Sequence, residues 1–170
     1  HPNVSYHAPA MEDAFTNKVY PGNLAHVAVA SGIFGNGHAE AFYRELEQDN
    51  DSDADPLQHP HELWMRLLTR DGAPTPIPLD TLPLSRFFSG AGFLVSRDSW
   101  ERADATTLVF KASPFYTVGH HQRDEGSFTI DFKGPLLVDA GRYDGSGSDA
   151  HYWHFYARTV AHNSLLVRWP

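Results

Sequence analysis

The hydrophobic pattern changes period once along this sequence, near residue 84, and that change limits the fold more than any other feature. Upstream, apolar residues recur at helical spacing. Residues 22–34 are small and apolar, with Leu24, Val27, Ala28 and Ser31 on one side, and Gly35-Asn36-Gly37 is a stop signal. Residues 38–48 carry Ala41, Phe42 and Leu46 on one side and Arg44, Glu45 and Glu47 on the other. Residues 60–70 give a third helix with Leu63, Trp64, Leu67 and Leu68 as its apolar face. Downstream, short runs rich in β-branched and aromatic residues take over: Phe87-Phe88, Gly92 to Arg97, Thr106 to Lys111, Ser127 to Phe132 and Pro135 to Asp139. In the fourth run Phe128, Ile130 and Phe132 alternate strictly, and Lys133-Gly134 supplies a hairpin turn after it. Helices first and strands afterwards predict an α+β chain with segregated layers. The helical segment takes residues 1–83, the proline-rich stretch Asp71 to Pro83 being the connection, and the start of an antiparallel β-sandwich takes 84–170. Leu165 to Pro170 reads as a further strand cut short, so the chain is expected to be a fragment of a larger protein.

Charge and composition remove several function classes. The 21 acidic residues outnumber the 13 basic ones, for a net charge of −8, which argues against nucleic acid, whose binding needs a basic face. An acidic sugar polymer can be held only through a local cationic or metal site. There is no cysteine, so disulfides, thiolate nucleophiles and Cys-based zinc sites are excluded. No signal peptide or membrane-spanning run is visible. The 11 histidines and the 13% of aromatic residues suit metal sites and sugar-stacking platforms.

Three segments of the β half concentrate reactive side chains: Gly119 to Phe128, with His120, His121, Gln122, Asp124 and Glu125; Leu137 to Tyr143, with Asp139; and Tyr156 to Ser164, with Arg158, His162 and Asn163. Each is expected to place them at the end of an apolar strand, where the strand body fixes their positions. Imidazoles and a carboxylate drawn from such segments can form a metal shell. On spacing alone the favoured reading of the same residues is a turn cap (Asp139 before Gly141) and a packed histidine (His162), since no local motif is forced. Tyr152, Trp153, Phe155 and Tyr156 can stack on pyranose rings or pack under a loop. Arg158 can meet a substrate carboxylate bidentately, or hold Asp139 or Asp124.

Taken together and in order, the three segments resemble the signature of the heparinase II/III-like polysaccharide lyases. That family has a His-x-His-x-Asp-x-Gly-x-Phe element, matched here by His120 to Phe128 with Gln122 in the second histidine's place. A second element follows at Gly134 to Tyr143, and Arg158-Thr-Val-Ala-His162-Asn163 completes the set. Gly92 to Trp100 is similar to the strand that leads into the family's sandwich, and the resemblance covers residues 87–167. It implies that the helices before residue 83 are the end of an α/α toroid, with the active cleft between toroid and sandwich. It implies β-elimination of a uronic-acid-containing polysaccharide, such as a glycosaminoglycan or alginate, with His120 and Tyr143 as catalytic residues. The principal base and acid, a toroid histidine and tyrosine, are not found in this sequence. Arg158, Trp153 and Tyr156 are the candidate substrate contacts. A divalent metal such as zinc would be held by Gln122, Asp139 and His162, with His121 as a substitute donor or hydrogen bonds in the metal's place. The expected partners are the acidic polysaccharide, the rest of the lyase chain and a second copy in a homodimer, with no nucleic acid and no membrane, and the implied location is periplasmic or secreted. Two other readings remain: a non-catalytic β-sandwich that binds sugar or metal, and a cupin-like metalloenzyme, whose His-x-His element Gln122 breaks.

Overall fold

The computed structural model describes residues 21–48, 60–101, 104–114, 122–138 and 150–166. They fall into two compact units that divide between Leu82 and Pro83.

The first unit holds three helices: α1 (Pro21–Gly32), α2 (Gly37–Gln48) and α3 (Pro60–Arg70). The stop at Gly35-Asn36-Gly37 works through Asn36. Its Oδ1 accepts the backbone N–H of His38 at 3.0 Å and of Ala39 at 3.1 Å, capping α2. Helix α1 packs against both others, and Ala25, Ala28 and Ser31 are its buried stripe. Small residues are needed here. A Cβ on Gly32 would sit 2.0 Å from the carbonyl oxygen of Thr69, so only glycine lets α1 and α3 approach this closely.

A polar cluster joins the three helices. Glu40 on α2 is fully buried. Its carboxylate accepts both guanidinium nitrogens of Arg70 from α3, at 2.8 and 3.2 Å, Nε of Arg44 at 2.7 Å, and the Ser31 hydroxyl of α1 at 2.8 Å. Beside it, the Tyr43 hydroxyl donates to Glu47 at 2.6 Å and accepts from Arg66 at 3.0 Å, while the Arg70 guanidinium lies 4.4 Å from the Tyr43 ring centroid. The expected apolar face of α3 is therefore not its contact with α2. Trp64 is 64% exposed, Leu67 58% and Leu68 78%, because the arginines of α3 turn to Glu40 and Glu47 and Thr69 sits against Gly32.

The second unit is a five-stranded antiparallel meander in the order β1 (Ser85–Phe88), β2 (Phe93–Arg97), β3 (Thr107–Lys111), β4 (Phe128–Asp131) and β5 (Pro135–Leu137). All five strands fall on the runs read from the sequence. Register pairs Arg86 with Val95, Val95 with Val109, and Val109 with Thr129. One face therefore carries Arg86, Phe88, Phe93, Val95, Arg97, Val109, Lys111, Ser127 and Thr129. The other carries Phe87, Leu94, Leu108, Phe110, Phe128 and Ile130, none of them fully buried. That half-covered apolar face has the character of a sandwich's inner face. The described residues form one sheet, and a second is not among them.

Gly92 closes the β1–β2 loop at φ +72°, and a Cβ there would meet the Ser113 backbone at 2.5 Å. Gly92→Ala should therefore lose at least ~2 kcal/mol, from left-handed strain plus displacement of Ser113. Urea unfolding checks this, and an unchanged midpoint would refute it.

Candidate functional site

The segment before β4 is fastened from beneath by a buried ion pair. The Lys111 ammonium, at the end of β3, reaches the Asp124 carboxylate at 2.5 Å, and both side chains are essentially without solvent. Lys111 N–H also donates to the Ser127 carbonyl, and Gly126 N–H donates to the Lys111 carbonyl. Residues 124–127 are thus folded back onto the strand. Gln122, two residues earlier, is completely buried.

Asn163 ties this segment to the other two. Its Nδ2 donates to the Phe128 carbonyl at 3.2 Å and to the Val138 carbonyl at 2.8 Å, while its own carbonyl accepts Phe128 N–H at 3.3 Å. One carboxamide therefore spans the start of β4, the residue just before Asp139 and the residue just after His162. Two further bonds repeat the link: Arg123 N–H to the Ala157 carbonyl at 3.3 Å, and the Ser164 hydroxyl to the Glu125 carbonyl at 2.9 Å. The geometry explains why an amide occupies position 163. A carboxylate there could not donate to two carbonyls.

The third segment does not follow a strand. Tyr152–Tyr156 is a π-helical turn and Thr159–Ala161 a short 3-10 turn, after which His162 is extended. The ring-bearing residues have no alternation to satisfy a sheet. They associate at helical spacing instead, His151 stacking on Phe155 at 5.5 Å and meeting Tyr156 edge-on at 4.9 Å. Leu165 and Leu166 are not in a strand, and residues 167–170 lie outside the described residues.

Of the eight residues proposed from the sequence as catalytic, substrate-contacting or metal-holding, five are described. Gln122 and His162 are buried, and their Oε1 and Nε2 atoms are fully enclosed. Trp153 is 57% exposed and meets Tyr152 edge-on at 5.0 Å. Tyr156 is half-buried. Arg158 is exposed. Its Nε donates to the Trp153 carbonyl at 3.1 Å, and it does not hold Asp124. The planar end of this guanidinium is left for another acceptor. His120, Asp139 and Tyr143 lie outside the described residues, as do His121 and the loop at 145–149. Among the described residues no group of three or more imidazoles and carboxylates could hold a metal ion. The implied set is instead an amide oxygen, a carboxylate and an imidazole. That mixture suits a borderline divalent cation, and the two described members are buried and held on segments that Asn163 joins. Sequence reasoning missed Lys111 and Ser164. Nothing in a strand-end lysine or a lone serine announces a partner 13 or 39 residues away.

No helix among the described residues is long and apolar enough to cross a membrane. Residues 80–168 match the family model "Heparinase II/III-like, C-terminal". Among solved structures the chain is similar to a heparinase III gene product, at 25% identity and TM-score 0.55, over 94% of this chain and 20% of that one. It is also similar to the heparan sulfate lyase HepC of Pedobacter heparinus, at 24% identity and TM-score 0.56, over 93% of this chain and 20% of that one. The chain thus spans about a fifth of the length of these solved structures. No curated protein sequence matches it.

Proposed function

This chain belongs to the heparinase II/III-like family, and we propose that it supplies part of the site of a lyase that cleaves acidic, uronic-acid-containing polysaccharide by β-elimination. The observation that carries this reading is the Asn163 carboxamide, which from the position after His162 joins Phe128, in the segment that follows Gln122, to Val138 beside Asp139. The similar solved structures include heparan sulfate lyases, so a glycosaminoglycan is the first substrate class to test.

The reaction sets a definite problem. A base removes the proton from C5 of the uronate, the C4–O4 bond breaks with its electrons leaving on oxygen, a C4=C5 double bond forms, and the departing oxygen takes a proton. The C5 proton is a poor acid because the neighbouring carboxylate is already negative. Donors must neutralise that carboxylate as charge builds. His120 takes this role or moves a proton, and Tyr143 hydrogen-bonds the sugar or the leaving oxygen. Arg158 is suited to a substrate carboxylate, having no carboxylate partner among the described residues. Trp153 and Tyr156 offer ring faces to pyranose units. The remaining acid and base come from parts of a lyase not found in this sequence.

Gln122, Asp139 and His162 would hold a divalent metal, zinc being the first candidate. When bound it would tie the three segments together and is given no step in the reaction. Elemental analysis of the purified protein should find stoichiometric metal that is lost in Asp139→Ala. A periplasmic or extracellular location fits the same reading, since such polymers are met there.

The alternative is a sandwich that binds acidic sugar without cleaving it. Incubating the full-length protein with heparan sulfate, hyaluronan and alginate separates the two. The lyase reading expects ultraviolet absorbance from unsaturated uronate with at least one polymer. Binding without any such absorbance overturns it in favour of the module.

A further inference from the structure

The sheet face that carries Lys111 is closed at one end and open at the other. Over β3 and β4 it is covered: Val109, Lys111, Ser127 and Thr129 are each at most 6% exposed. Over β1 and β2 it is open, with Phe88 50% exposed, Arg86 exposed and Arg97 half-buried. Register places Arg86 opposite Val95, so Arg86 and Arg97 are diagonal neighbours on that face, about 7–8 Å apart at the backbone. The Arg97 guanidinium carbon lies over Trp100, 4.3 Å from its ring centroid.

Arg86 and Arg97 belong to the minority of described lysines and arginines that form no ion pair. In the helical unit Arg44, Arg66 and Arg70 are all in ion pairs, and in the sheet unit Lys111 and Lys133 are too. Arg86 and Arg97 form none among the described residues, although the chain carries 21 acidic residues. Partial burial of Arg97 without a counter-charge disfavours its charged form, holding its pKa below the usual arginine range. An anion arriving there would relieve that penalty. Contact with the Trp100 ring restrains the guanidinium, whose N–H donors can take two oxygens at once.

We infer that Arg86, Arg97 and Trp100, beside Phe88, form a binding site for an anionic sugar unit, its carboxylate or sulfate taken by the arginines and its ring by the aromatics. The site is a subsite for the acidic polysaccharide and rests on the substrate class proposed above. It lies on strands β1 and β2, apart from the segments joined by Asn163.

The test compares the full-length protein with Arg97→Gln, Arg86→Gln and the double variant. Cleavage of heparan sulfate gives KM and kcat, and titration with a heparin-derived hexasaccharide gives direct affinity. The expected result is a KM and a Kd raised roughly ten- to a hundredfold per arginine, the scale of one charge-assisted hydrogen-bonded contact. kcat and the unfolding midpoint should stay unchanged. Gln removes the charge while keeping a polar side chain, so a purely structural role would move the midpoint instead. Cleavage with unaltered KM and Kd in the double variant overturns this inference and leaves the lyase reading standing. Arginine-dependent binding of the hexasaccharide without cleavage by the wild type supports the inference and overturns the lyase reading. A wild type that neither binds nor cleaves overturns both.

Discussion

Lys111→Met should lose ~3–5 kcal/mol of stability, because it takes the counter-ion from a carboxylate that has no solvent to turn to. Asp124 is fully buried and Lys111 is 1% exposed. Removal of either charge alone leaves the other in a low-dielectric interior, and Asp124→Leu should cost a similar amount. The pair itself is worth far less than either deletion suggests, since bringing two charges out of water nearly cancels their attraction. The double variant Lys111→Met, Asp124→Leu should therefore recover most of the loss. Urea unfolding of the three variants measures the cycle. A double variant as unstable as the sum of the singles would contradict this account, as would a Lys111→Met protein within ~0.5 kcal/mol of wild type. The pair also secures the segment that carries Gln122, so the single variants should lose retained metal together with stability.

Acid should weaken the helical unit through Glu40. Burial by itself would raise the pKa of this carboxyl, but hydrogen bonds from Arg70, Arg44 and Ser31, with the Arg70 charge, outweigh it and hold the pKa at about 2 against an ordinary 4.5. The folded pKa lies below the unfolded one, so the unfolded chain takes up the proton first. The stabilisation is complete above pH ~4.5 and is lost as pH falls through about 2. Its size is ~3 kcal/mol, from a shift of roughly two pKa units or more at 1.36 kcal/mol each. Glu40→Gln should lose ~2–3 kcal/mol at neutral pH, less than Lys111→Met, because the released Arg70 and Arg44 are 34% and 52% exposed and regain water. It should also flatten the dependence of stability on pH between 5 and 2. A Glu40→Gln protein whose acid sensitivity matches wild type would refute the assignment to this residue.

The elements of this fold were legible wherever a local pattern had one solution. Short runs of β-branched and aromatic residues located all five strands, and the change of period separated helices from sheet. Lys133, at φ 54°, and Gly134 make the turn their sequence announces. What the pattern hid was pairing at a distance. The Glu40–Arg44 contact, four residues apart on one helix, was within reach of sequence reasoning, whereas the Arg70 partner 30 residues on was not. Lys111 ends the third strand run with nothing in the sequence to announce its partner, and it is buried. The segment Tyr156 to Ser164 was expected at the end of a strand and follows a helical turn instead, with ring stacking at positions four apart in place of sheet pairing. The apolar side of α3 was legible as a pattern, but not that Trp64, Leu67 and Leu68 would stay exposed while the arginines turned inward. The candidate site was legible as three separate segments only. Their junction runs through backbone carbonyls that accept from Asn163, and carbonyls carry no sequence signal.

That junction gives the most direct test. The full-length Asn163→Ala protein should remain folded, since only two side-chain hydrogen bonds are lost, at ~1 kcal/mol each. Its kcat for releasing unsaturated uronate from heparan sulfate should nevertheless fall about 100-fold, the usual consequence of moving reacting groups by an ångström. A variant that turns over at the wild-type rate would show that the three segments need not be held together, and the site proposed here would be wrong.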